Sequence, residues 1–152
     1  MKIRSFPVLK IVVDNLNQAA PPETFFDIEH VDNSSKKSRL HELQVRVYAG
    51  KRFRSILFVN EKSQLDLDSL GIVFNGISSY GIYHRYGVRI PHHGYARWVY
   101  ASELPELMSI STEEDITEEK FALALIKIIS DALGETFNIT FSPLALITGA
   151  AC

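Results

Sequence analysis

The stretch from Tyr80 to Tyr100 gathers the side chains of this sequence best suited to chemistry: Tyr80, Tyr83, His84, Arg85, Tyr86, Arg89, His92, His93, Tyr95, Arg97, Trp98 and Tyr100. An imidazole moves protons near neutral pH, and a guanidinium stabilises charge developing on phosphate. His84, His92 or His93 with Arg85, Arg89 or Arg97 would therefore serve metal-independent cleavage of RNA, with the aromatic rings stacking on unpaired bases. The same residue types also dominate protein hot spots, because Tyr, Trp and Arg join a large contact area to a polar handle. On that basis Tyr83, Tyr86, Tyr95, Trp98 and Tyr100 are candidate partner-binding residues.

The spacing weakens the catalytic option. In a hairpin turning at Pro91-His92-His93-Gly94, Arg85 and Arg89 share one face while Arg97, opposite Val88, takes the other. The bland account is that Tyr83, Tyr86, Trp98 and Tyr100 are strand-favouring residues of a half-buried sheet. A metal centre is not expected. His92 and His93 are adjacent and point apart in an extended chain, and no His-x-x-x-His, cysteine pair or spaced carboxylate set accompanies them. Phosphate-binding glycine loops and a Gly-x-Ser-x-Gly elbow are also missing, so no cofactor is expected.

Charge is segregated along the chain. Residues 36–62 carry eight basic and two acidic side chains, whereas residues 102–152 carry two basic and nine acidic ones. The net charge of −2 hides this dipole. The basic part makes Arg46, Arg52 and Arg54 candidate anion-binding residues. The acidic part makes Glu113, Glu114, Glu118 and Glu119 candidates for steering a basic partner. Either set could instead serve the fold, by attraction between the two ends or as helix-start carboxylates.

The elements that must position these groups follow from pattern. The chain's 152 residues suit one domain with its own core, expected to span 1–152. Val8–Val13 is short and β-branched and predicts a strand, with a loop over Asn15–Glu23. Thr24–Val31 predicts another strand. Arg39–Glu61 predicts a hairpin with a three-residue loop, Ala49-Gly50-Lys51, Gly50 supplying positive φ. In that register Tyr48 faces Arg52 and Arg46 faces Arg54, a repulsive pair needing compensation. Ile72-Val73-Phe74 predicts a strand, and so does Phe137–Phe141. Ser111-Thr112-Glu113-Glu114 reads as a capping box opening a buried helix over about 112–133, ended by Gly134.

The expected fold is α+β: a mainly antiparallel sheet of five to seven strands packed on that one C-terminal helix, or alternatively a half-open barrel around it. No apolar run approaches the ~18 residues needed to span a bilayer, and the lone cysteine, Cys152, suits a reducing, cytoplasmic setting. These features together point first to a non-enzymatic protein-binding domain, such as an inhibitor or immunity-type protein that masks a partner's site. An RNA-binding protein or small ribonuclease working through the 80–100 hairpin comes second. Third is a structural subunit inserting the apolar tail Leu144–Ala151 into a neighbour.

Overall fold

The structure, a computed structural model, describes residues 3–32, 41–60, 64–74, 97–136, 138–142 and 145. The chain begins with helix α1 (Ser5–Ala19) and continues through strands β1 (Thr24–Asp32), β2 (His41–Ala49), β3 (Arg52–Asn60), β4 (Gly71–Phe74) and β5 (Arg97–Tyr100). A short 3-10 turn at Ala101–Glu103 leads into helices α2 (Pro105–Ser111) and α3 (Glu118–Thr136). Each strand pairs antiparallel with the next, giving among the described residues an open sheet in the order β1-β2-β3-β4-β5 within an α+β fold. The half-open barrel is therefore not what the described residues form.

The first correction is α1. The segment Val8–Val13, expected as a strand, is helical, and the helix runs on through the expected loop to Ala19. Its buried apolar residues are Val8, Leu9, Val12, Val13, Leu16 and Ala19, the spacing of one helical face, on which Ser5 and Asn15 are buried too. Lys10 and Asp14 pair at 3.0 Å on the exposed side. Pro7 lies in the first turn, where the missing N–H costs nothing. Helical spacing along about four turns that pack on α3 and β1 overrides the β-branched preference of Ile11-Val12-Val13. The sheet is thus covered by α1 together with α3, not by one helix alone, and the expected strand count had included a segment that is helix.

The second correction is the register of β2 and β3. The turn has two residues, with Ala49 opposite Arg52 and Gly50 at φ +62, so glycine supplies the left-handed first position as its conformational freedom predicts. Tyr48 therefore faces Phe53, and Arg46 faces Ser55, not Arg54. A bulge next to Val45 and Arg46 then absorbs Ile56 and brings Leu57 opposite Val45. Ile56, Leu57 and Val59 are all buried as a result. The opposed arginines never meet.

The third correction is the C-terminal helix. The Ser111 capping box does not form; Ser111 and Thr112 turn their hydroxyls back to the carbonyls of Met108 and Ser109 and close α2. Helix α3 starts later, where Thr117 Oγ1 accepts the Lys120 N–H at 3.1 Å, and it runs past Gly134 to Thr136. Its burial is as wide as the sequence implies: Phe121, Ala122, Leu125, Ile126, Ile128, Ile129 and Leu133 all lie in the core.

Residues 138–142 are irregular, and so the described part of the strand expected over Phe137–Phe141 does not form. They return along α1: Ser142 N–H donates to the Ala19 carbonyl at 2.8 Å, and Phe141 stacks on Phe26. The buried Asn15 amide donates to the Ala145 carbonyl at 3.1 Å. Asn17 closes the outer edge of β1, its amide bonding both the N–H and the carbonyl of Phe26. Pairing those two groups blunts one rung of an edge strand that could otherwise template another chain.

Candidate functional site

Strand alternation, seen from the face away from the helices, builds an ordered grid from β1, β2 and β3. Phe25, Tyr48 and Phe53 form one cross-strand row, and Asp27, Arg46 and Ser55 form the next. Glu29, Gln44 and Phe58 form a third. An antiparallel sheet can leave one face to solvent in this way, but the usual residues there are polar. Here Phe25 and Phe53 are 52% and 54% exposed, among the few large apolar side chains left in solvent.

The aromatic row is packed, not splayed. Phe25 and Tyr48 stack with centroids 4.5 Å apart and planes within 9°. Tyr48 and Phe53 meet at 4.9 Å in a tilted contact. Such contacts add about 0.5–1.5 kcal/mol per pair beyond area burial, which holds the rings in place before any partner arrives.

Arg46 sits under this row. Its guanidinium makes a two-pronged bond to Asp27, Nε to Oδ1 at 2.9 Å and Nη2 to Oδ2 at 2.8 Å, and Nη1 bonds Glu29. Its Cζ lies 5.6 Å from the Tyr48 centroid and 5.8 Å from that of Phe53. The hydrogen bond to Asp27 raises the guanidinium's pKa further above its usual value, so its charge is permanent. The two carboxylates are more open to solvent than the cation they hold: the side chains of Asp27 and Glu29 are 37% and 42% exposed, that of Arg46 20%. What the grid shows to water is therefore aromatic and acidic.

This geometry separates the arginines expected to act together. Arg46 is on the open face and bound to carboxylates, whereas alternation sends Arg52 and Arg54 to the opposite side, across from Ala49 and Val47. No shared anion site joins them.

The acidic group also divides. Glu113, Glu114 and Glu119 are exposed. Glu118 is structural: one carboxylate oxygen accepts the Arg4 backbone N–H at 2.7 Å and its Nε at 3.1 Å, and the other accepts Nη2. It ties the start of α1 to the start of α3. Asp115 holds Lys120 at 2.7 Å. The Arg4 side chain, then its backbone N–H, keep the Glu118 carboxyl below its usual pKa of 4.5. A depressed folded pKa contributes stability above the unfolded value, and that contribution is lost as pH falls through the folded one. Urea midpoints of the wild type and Glu118→Gln are therefore expected to differ at neutral pH and to converge as pH falls below the carboxylate range. A gap that stays constant down to acid pH would show that Glu118 holds no charge-dependent bond.

Of the aromatic stretch, Tyr80, Tyr83, His84, Arg85, Tyr86, Arg89, His92, His93 and Tyr95 lie outside the described residues. Arg97 and Trp98 lie on β5, opposite Phe74 and Val73. Tyr100, at its end opposite Gly71, is 37% exposed, and its backbone N–H donates to Glu103. Among the described residues no three His, Cys, Asp or Glu side chains are grouped to hold a metal ion, and no helix is long and apolar enough to cross a membrane.

Phe25 and Phe53 carry the open face but do not stand out in the sequence. The available signal was the alternation Phe25, Asp27, Glu29 against the buried Phe26, which marks a strand with one aromatic and acidic side. The parity of Phe53 depends on the two-residue turn and was not legible. Compared with protein-family models, with curated proteins and with solved structures, this chain matches none.

Proposed function

We propose that this chain is a non-enzymatic protein-binding domain that docks its partner on the open face of β1, β2 and β3, in the manner of an inhibitor or immunity-type protein masking a partner's site. The Phe25–Tyr48–Phe53 row carries this conclusion. Two more-than-half-exposed rings, fixed by stacking through a third, are an anchor of the kind that dominates protein interfaces, with Arg46 beneath as the residue type most often found beside them. More of the Phe25 and Phe53 rings stays in water than stacking within the row requires, while the described core lies on the other face. The lone cysteine suits a reducing, cytoplasmic setting for this activity.

The test is capture from the source organism's lysate on immobilised protein, comparing wild type with a Phe25→Ala, Phe53→Ala double variant whose circular dichroism is unchanged. A discrete partner is expected with the wild type, bound on the order of 30-fold or more weaker by the variant, as for loss of a hot spot. Equal capture by both would place the docking face elsewhere. The exposed acids offer the next face to try, through Glu113→Gln, Glu114→Gln and Glu119→Gln, with Glu118 left intact because it clips two helices.

A second reading, single-stranded RNA binding, is favoured by the same rings, since a row of aromatics on a sheet can stack bases. Against it, Asp27 and Glu29 occupy the guanidinium of Arg46 and set negative charge where phosphates would pass. Retardation of an oligouridylate at low salt, falling steeply as salt rises, would be its signature.

A further inference from the structure

We infer that the occupant of the open face is a basic, extended segment of a protein partner, laid along β1 with Arg or Lys side chains against Phe25, Asp27 and Glu29. The inference rests on the proposed docking face and names the chemistry of what docks there.

Three observations carry it. First, the face already accommodates one guanidinium: Arg46 lies 5.6 and 5.8 Å from two ring centroids of the row and is bonded by both carboxylates. The combination that binds a guanidinium, ring quadrupole plus carboxylate, is therefore assembled here. Second, Arg46 takes up only part of it. The side chains of Asp27 and Glu29 remain more exposed than Arg46, Phe25 is more than half exposed, and a carboxylate can accept further bonds beyond those it makes. Two carboxylates against one guanidinium leave the Asp27–Arg46–Glu29 group with one net negative charge. Third, the spacing fits a strand-like ligand. Phe25, Asp27 and Glu29 occupy alternate positions of one strand, a repeat of roughly 7 Å. Alternate side chains of an extended peptide repeat at the same distance, so basic residues at every second position meet each of them in turn.

The test uses purified full-length protein and a short fluorescein-labelled peptide alternating Gly and Arg, read by fluorescence anisotropy. Its counterparts are the same peptide with Glu in place of Arg and a labelled oligouridylate. Expected is saturable binding of the Arg peptide alone, at least about fivefold weaker for Phe25→Ala, retained by Phe25→Tyr, and weakened for Glu29→Gln. Circular dichroism checks that each variant is folded. Four results overturn the inference: no binding of the Arg peptide; equal binding by Phe25→Ala; loss caused by Glu113→Gln with Glu114→Gln but not by Phe25→Ala, which would mark general attraction to acidic surface; or preference for the oligouridylate. If a captured partner depends on Phe25 and Phe53 but the Arg peptide does not bind, the docking face stands and only its basic ligand falls.

Discussion

Replacing Phe121 with alanine is expected to lower the stability of this protein by about 3–5 kcal/mol, the range for deleting a fully buried aromatic ring. Phe121 is completely buried and is the largest fully buried side chain among the described residues. It stands in the first turns of α3, where its N–H bonds the Thr117 carbonyl and its ring joins the cluster shared by α1, α3 and the sheet. Truncation removes the transfer energy of the ring and leaves a cavity that the surrounding Leu and Ile side chains fill only in part. Domains are stable by only about 5–15 kcal/mol, so this one change removes a large share of the total. The melting temperature should fall by roughly 10 °C. Urea unfolding followed by circular dichroism measures it; a loss below about 1 kcal/mol would mean that the core at α3 is not packed as described. Phe121→Leu, which keeps much of the volume, should recover a good part of the loss.

The second large effect is expected at Arg46. Arg46→Ala removes the cation between Asp27 and Glu29 and leaves two carboxylates two residues apart on one strand face without the guanidinium that bonds both. Charge-assisted hydrogen bonds contribute about 1.5–3 kcal/mol each when well formed, but this group is partly solvated, so a total loss of about 1–3 kcal/mol is expected. Arg46→Lys should recover less than half of that, because an ammonium cannot reproduce the two-pronged bond to Asp27. The Tyr48 and Phe53 rings lose the guanidinium beside them at the same time. The near-ultraviolet tyrosine signal should therefore change in Arg46→Ala even where the far-ultraviolet spectrum does not. A double-mutant cycle with Asp27→Asn isolates the pair, and a coupling near zero would show that the bond is made without benefit to the fold.

Both results bear on function through the same wall of structure. Phe121 acts on the core beneath the sheet and should weaken partner binding only by unfolding the protein. Arg46 acts at the open face and should alter binding in molecules that remain folded. Comparing the two variants separates a stability effect from a site effect.

Much of the frame was legible in the sequence, and for identifiable reasons. The strands at Thr24–Asp32 and Gly71–Phe74, the hairpin around Gly50 and the buried character of the C-terminal helix follow from alternation, from a glycine placed where φ must be positive, and from an apolar run with few charges. These are local properties, and local patterns determine them. What the chain's own order could not specify was decided by packing over distance. The first helix was hidden because β-branched residues prefer strands, and only contact with α3 and β1 rewards their helical spacing. The start of α3 moved because Thr117 caps it while Ser111 and Thr112 bond backward, a choice among near-equal hydroxyls that the surrounding contacts settle.

The site shows the same division. Sequence composition determined that arginine and aromatic residues would be concentrated in the β2–β3 hairpin. Which of them share a face was decided by one residue of turn length and one bulge, since a shift of a single position sends every side chain of a strand to the other side. That shift placed Arg46 beside Ser55 instead of Arg54 and aligned Phe53 with Tyr48 and Phe25. The carboxylates that hold Arg46 come from β1, well before it in the chain, and only the pairing of β1 with β2 brings Asp27 and Glu29 to it.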